Sequence, residues 1–253
     1  STPIKSSAAS DVYKRQMYET VQSILAKSGH INHKYLKESE SDKKAVIVVT
    51  ANRGLAGGYN SNITRMIIDE GFTKENTVVY AVGKKGRELL ERKGYEIKAD
   101  YSEAINDPIY KDAKEICDDV LSAFADGEVG EIYLAYTVFK NTVVHEPQLI
   151  RLLPVEADDA AHETDGSEAL MTYEPSEEEA LDMIIPKYVC SLVYGALIES
   201  VASENGARMQ AMDSATSNAE EMISTLSLKY NRARQASITQ ELTEIIAGAN
   251  AIE

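Results

Sequence analysis

The chain has 253 residues, enough for one large domain or two modest ones with a real hydrophobic core. Hydrophobic residues make up 43% and aromatics 7%, with no Trp, which leans towards an Ala-rich helical interior rather than a β-sandwich. A net charge of −15 argues against a nucleic-acid partner, which needs a concentrated basic face. No apolar run approaches the roughly 20 residues of a membrane span, and the start of the chain has no apolar signal-peptide region. The expectation is a soluble, cytoplasmic protein.

Residues 1–42 read as a short helical segment with an atypical start. Met17–Leu25 (MYETVQSIL) spaces its apolar groups as a helix does, whereas residues 1–16 are Ser/Ala-rich with no clear period. Residues 43–156 alternate strand and helix signals. Ala45–Thr50 (AVIVVT) is a continuous β-branched run, as expected of a strand buried on both faces. A glycine-rich turn and a helix from about Asn60 to Glu70 follow. Thr77–Val82 is a second strand, and Gly83 opens a helix to Lys93. Ile109–Ala125 reads as a helix with Ile116, Val120, Leu121 and Phe124 on its apolar face. Ile132–Phe139 and Val143–Leu153 close the region as a hairpin. This alternation predicts a mostly parallel sheet in an α/β layer, with an antiparallel edge.

Residues 157–175 form an acidic linker. From Glu156 to Asp182 there are eleven acids and no Lys or Arg, the pattern of a solvated loop. A helix then starts at Ser176, followed by three glutamates that complement the helix dipole, and the pattern stays helical through 176–253. Pro186 is placed to kink its early turns. About 60 residues of helix would run on the order of 90 Å, more than a domain of this size buries. Met212, Ala215, Ala219, Met222 and Leu226 follow the 3-4 spacing of a coiled-coil seam. Met222–Gln240 carries Lys229, Arg232 and Arg234 and no acid, a basic patch suited to an acidic partner.

Candidate chemistry is sparse. Asn52–Asn60 (NRGLAGGYN) lies between a strand and a helix, where α/β proteins cradle phosphates, but the spacing is neither G-x-G-x-x-G nor that of a P-loop. A tight turn whose glycines accept positive φ is the plainer reading. His30, His33, His145 and His162 lack metal-ligand spacing, and no nucleophile elbow occurs. Cys117 and Cys190 read as small buried hydrophobes. No cofactor and no metal are expected.

The C-terminal third carries a specific resemblance. Ser203–Met212 (SENGARMQAM), Ala215–Ala219 (ATSNA) and Tyr230–Leu242 (YNRARQASITQEL) are similar to the γ subunits of bacterial rotary ATP synthases, as is Arg53–Gly58 with Asn60-Ser61-Asn62. The resemblance implies a Rossmann-like α/β domain plus long terminal helices in an antiparallel coiled coil. It implies a non-catalytic rotor shaft, peripheral on the cytoplasmic face of the bacterial membrane, turning inside a ring of α and β subunits. The shaft's foot would meet the ε subunit and the membrane c-ring, so that proton flow drives ATP synthesis without direct membrane insertion. Arg234, Gln235 and Thr239 match positions that contact the catalytic ring, the first two through an acidic loop of a β subunit. Arg208 matches a position linked to energy coupling, and Glu244, Ile245 and Ile246 match positions near the upper bearing. The family begins with a long basic helix, and residues 1–16 stand in its place, which predicts a truncated or artificially joined start. Two other readings compete: an α/β nucleotide-binding enzyme using the Gly54–Gly58 turn, and a free coiled-coil adaptor.

Overall fold

A computed structural model describes residues 33–36, 41–155 and 177–250. The expected helix at Met17–Leu25, the acidic linker and the Ser176 cap lie outside the described residues. So does most of the expected second strand of the coiled coil.

The AVIVV run forms the centre of a five-stranded sheet. Strand β1 (Lys44–Val49) pairs in parallel with β2 (Thr77–Val82) on one side and β4 (Glu131–Phe139) on the other, Val46 lying opposite both Val79 and Tyr133. β3 (Glu96–Asp100) adds a parallel edge beyond β2, and β5 (His145–Leu153) an antiparallel edge beyond β4. The order is therefore β3-β2-β1-β4-β5. The connecting helices are α1 (Tyr59–Asp69), α2 (Lys84–Arg92) and α3 (Tyr110–Ala125), and α4 spans Glu177–Asn250.

Both faces of the sheet are covered, which is why β1 and β2, beyond Lys44 and Thr77 at their starts, run apolar rather than alternating. Val46, Val48, Val79 and Ala81 pack with Ile63 and Ile67 of α1 and Leu90 of α2. Ala45, Ile47, Val49, Tyr80 and Val82 pack on the opposite face with Ile116, Val120 and Phe124 of α3 and with Leu181–Leu197 of α4. Each fully buried aliphatic side chain contributes about 1.5–3 kcal/mol of transfer free energy. The α/β layer with an antiparallel edge is as expected. β3 has no counterpart in the sequence reading, because it alternates charged and apolar residues over only five positions. Ile97 and Ala99 face inward while Glu96, Lys98 and Asp100 stay exposed.

The contact pattern divides the chain into two compact units, one ending at Arg208 and one starting at Met209. Within the first, Leu181, Ile185, Val189, Val193 and Leu197 recur every fourth residue along α4 and are all buried, a stripe of helical period. The helix stays continuous through Pro186, although the ring cannot donate the usual bond to the carbonyl four residues back. Contrary to the sequence expectation, α4 is by length and composition apolar enough to cross a membrane, but half of its most apolar stretch is buried inside the protein, the load of a core-facing helix. In the second unit every described side chain from Met212 onward is exposed, Met212, Met222, Leu226, Ile245 and Ile246 among them.

Candidate functional site

Two regions of α4 carry the predicted site residues. The first is the stretch Glu199–Arg208, which the α/β layer grips with polar as well as apolar contacts. Tyr59, at the start of α1, is buried and donates its hydroxyl to the Ser200 carbonyl at 3.0 Å. Burial pushes its phenol upward, so it remains a neutral donor. Ser203 donates its hydroxyl to the Thr137 carbonyl of β4 at 3.1 Å, and the Phe139 N–H donates to Glu199 Oε1 at 3.3 Å. Gly206 lies where the hairpin comes closest. A Cβ there would stand 2.6 Å from His145 Cε1 and 3.2 Å from Phe139 Cε2, so any larger residue would have to push back the two rings, which pack 5.7 Å apart. Arg208 is partly buried and paired with Glu204 one turn earlier, Nη2 to Oε1 at 2.6 Å. The guanidinium is thus held by its own helix.

The glycine-rich turn meets this same stretch. Ala51, Ala56 and Tyr59 form a small buried cluster against which Ala207 packs. Asparagine side chains hold the turn in shape. Asn52 donates to the Ser102 carbonyl at 2.7 Å and to Asn106 Oδ1 at 2.9 Å, and it accepts from the Lys84 N–H at 2.9 Å. Asn60 Oδ1 accepts from the Ala51 N–H at 2.9 Å. That bond ties the end of β1 to the first turn of α1. Leu55 sits at φ +62 and is 79% exposed, an arrangement that costs a non-glycine residue about 1–2 kcal/mol. Two motifs far apart in sequence are thus one site in space. Periodicity does not reveal that pairing. The available signal was a glycine inside a helical pattern, which marks close approach.

The second region is the exposed part of α4. Arg234, Gln235, Thr239 and Glu244 are all exposed, and Ile245 and Ile246 are 68% and 59% exposed. Thr239 donates its hydroxyl to the Gln235 carbonyl at 2.8 Å, one turn back, so Gln235 and Thr239 share one helical face. Gln240 donates to Glu244 Oε1 at 3.0 Å. Local bonds of this kind order side chains along the helix but leave its outer surface available.

A family model described as ATP synthase matches residues 5–252. The ATP synthase gamma chain of Lachnoclostridium phytofermentans is 65% identical over 246 residues, covering 95% of this chain and 84% of the relative. The chain belongs to the ATP synthase gamma-chain family. It is accordingly a central-stalk, rotor-shaft subunit of that complex. Two other gamma chains are each 41% identical over 95% of this chain: that of Alkaliphilus metalliredigens, 84% covered, and that of Acetobacterium woodii, 85% covered and named sodium ion specific. Among solved structures, a chain of the Euglena gracilis mitochondrial ATP synthase aligns with a TM-score of 0.62 at 18% identity, covering 99% of this chain and 91% of that one. A chain from the central stalk/c-ring structure of the Tetrahymena thermophila mitochondrial enzyme aligns at 0.57 with 22% identity, covering 85% and 96%. At those identities the likeness is one of fold. In this gamma chain, the gripped stretch Glu199–Arg208 is where the long helix is anchored in the α/β layer.

Proposed function

We propose that this gamma chain is itself non-catalytic and transmits torque through α4, at the cytoplasmic face of the membrane. In this reading ion flow through a c-ring turns the foot, with the ε subunit beside it, and α4 imposes its orientation on a ring of α and β subunits. The carrying observation is the chemistry of the exposed helix. From Met222 to Gln240 it holds Lys229, Arg232 and Arg234 with no acid, on a chain whose net charge is −15. A local basic patch of this kind suits an acidic loop on a partner. Arg234 and Gln235 supply the donors towards a β subunit, with Thr239 on the same face. Arg208, held by Glu204, couples the anchored stretch to the shaft, and Glu244, Ile245 and Ile246 form the bearing surface.

The test is reassembly. The chain is mixed with bacterial α and β subunits and MgATP, isolated by size exclusion, and assayed for ATPase. A parallel sample carries a family-type N-terminal helix ahead of Met17. Replacing Arg234 and Gln235 together with Ala should lower ATPase activation while leaving the α/β layer folded. Each lost charge-assisted hydrogen bond should cost about 1–3 kcal/mol. An unchanged ATPase rate in the reassembled complex refutes the assignment of those two residues. Failure of both wild-type samples to assemble refutes the shaft reading for this chain.

A further inference from the structure

The contact between α4 and the α/β layer changes character along the helix. Leu181, Ile185, Val189, Val193 and Leu197 meet the layer as an apolar stripe within its core. Apolar contact is non-directional, so it holds the helix down but opposes turning or sliding only through shape. Directional contacts begin at the next turn. The Tyr59 hydroxyl donates to the Ser200 carbonyl at 3.0 Å, the Ser203 hydroxyl donates to the Thr137 carbonyl at 3.1 Å, and the Phe139 N–H donates to Glu199 Oε1 at 3.3 Å. These bonds tie α4 to two separate elements, α1 through Tyr59 and β4 through Thr137 and Phe139. A hydrogen bond weakens steeply when it is misaligned. Three of them on neighbouring turns therefore fix the rotation and register of the helix, which the stripe does not.

The residue types in this stretch point the same way. Thr137, Ser200 and Ser203 are all buried, and Thr137 Oγ1 and Ser200 Oγ have no hydrogen-bond partner among the described residues. A buried hydroxyl without a partner costs stability, and Val or Ala would fill the same space without that cost. Polar groups kept where apolar ones would adhere better are a mark of orientation rather than adhesion. Tyr59 is itself held rigidly. It is buried in one cluster with Ala51 and Ala56, and Ala207, one turn beyond Ser203, packs against that cluster.

We propose that Tyr59 and Ser203 are positioning residues for torque transfer: their hydroxyls pin α4 in rotation and register on the α/β layer. The inference rests on the torque-transmitting role of α4. When ion flow drives synthesis, the layer must turn the helix against the resistance of the catalytic ring. A helix that yields in its seat then loses part of each step. Hydrolysis without an opposing gradient loads the contact far less and tolerates a looser seat. The two hydroxyls thus act through the orientation of α4 and touch no substrate.

The test places the full chain in a complete bacterial ATP synthase reconstituted in lipid vesicles, and compares ion-driven ATP synthesis with ATP hydrolysis in the absence of a gradient. The thermal midpoint of each isolated full-length chain is measured alongside. In the double variant Tyr59→Phe with Ser203→Ala, the ratio of synthesis to hydrolysis should fall on the order of tenfold, as expected for two lost hydrogen bonds. Tyr59→Phe alone deletes one oxygen and keeps the ring in its cluster, and should lower the ratio about threefold. Ile185→Val loosens the apolar stripe without touching the hydrogen bonds. Its midpoint should fall at least as far as that of Tyr59→Phe, with the ratio unchanged. A wild-type ratio in the double variant overturns the proposal, as does an equal loss of ratio in Ile185→Val. A wild-type complex that hydrolyses ATP but makes none from an ion gradient refutes instead the torque reading on which the proposal rests.

Discussion

Replacing Gly83 with Ala should unfold this gamma chain more readily than any other glycine substitution in its α/β layer. Gly83 ends β2 and turns the chain into α2 at φ +122, a region that L side chains rarely enter. A Cβ at that position would stand 2.1 Å from the Thr50 carbonyl oxygen and 2.6 Å from Thr50 Oγ1. Thr50 cannot simply move aside. Its N–H donates to the Val82 carbonyl at 2.8 Å, its hydroxyl donates to the Gly83 carbonyl at 3.2 Å, and its oxygen accepts from the Gly86 N–H at 2.9 Å. The dihedral strain costs about 1–3 kcal/mol. Displacing backbone in a packed core costs about 1–3 kcal/mol more, and each hydrogen bond lost adds about 1 kcal/mol. With one hydrogen bond lost the sum is about 3–7 kcal/mol, a large share of the roughly 5–15 kcal/mol by which domains are stable. The midpoint should fall by about 10 °C or more. Near-UV circular dichroism is the suitable probe, because the 74-residue helix dominates the far-UV signal. Gly57→Ala is the control: φ is +55 but nothing lies within 4 Å of the added Cβ. Strain alone should then cost about 1–2 kcal/mol. A Gly83→Ala midpoint within 2 °C of that control would refute the clash argument.

Gly206→Ala should behave differently, because the obstructing atoms belong to the tip of a ring rather than to backbone. The gain in helix propensity of about 1 kcal/mol opposes the displacement of His145, and the net change should stay within about 1 kcal/mol. In a His145→Ala background the same change should stabilise by about 1 kcal/mol, and additivity in the double-mutant cycle would count against the contact. Asp182 supplies a pH dependence. Lys34 Nζ lies 2.8 Å and His33 Nε2 3.2 Å from its Oδ1. The hydrogen bond from Lys34 is the main cause holding its carboxyl below the ordinary value, against partial desolvation. A depressed carboxylate stabilises above its unfolded value of about 3.9 and loses that contribution as pH falls through the lower folded value. Asp182→Asn should therefore cost under about 1 kcal/mol at pH 6, given its exposure. It should also flatten the wild-type loss of stability below about pH 4. Parallel urea midpoints for the two proteins across pH 6 to 3 would exclude this.

Much of the α/β layer is legible in the sequence. The β1 and β2 runs have no polar interruption because both faces are covered, and the apolar stripe of α3 has helical period. Both are local consequences of burial, so a linear pattern records them. β3 escapes the same reading because an edge strand buries only Ile97 and Ala99, too few to set a period. The outer helix is legible for the opposite reason. Its residues stay exposed, so its basic and apolar groups keep the order in which they are read, and the motifs around Arg208 and Arg234 identify the family.

Tertiary structure alone decided how that helix is anchored. Tyr59 and Ser200 are 141 positions apart, as Ser203 and Thr137 are 66 apart. Each pair is a hydroxyl meeting a main-chain carbonyl, a group every residue carries and no sequence motif marks. The meeting of the glycine-rich turn with Ala207, and of His145 with Gly206, likewise depends on where the sheet places the hairpin. Sequence determined which segments bury apolar surface, because burial demands periodic side chains. Structure determined which of them touch, because contact depends on the closure of long loops that local pattern does not encode.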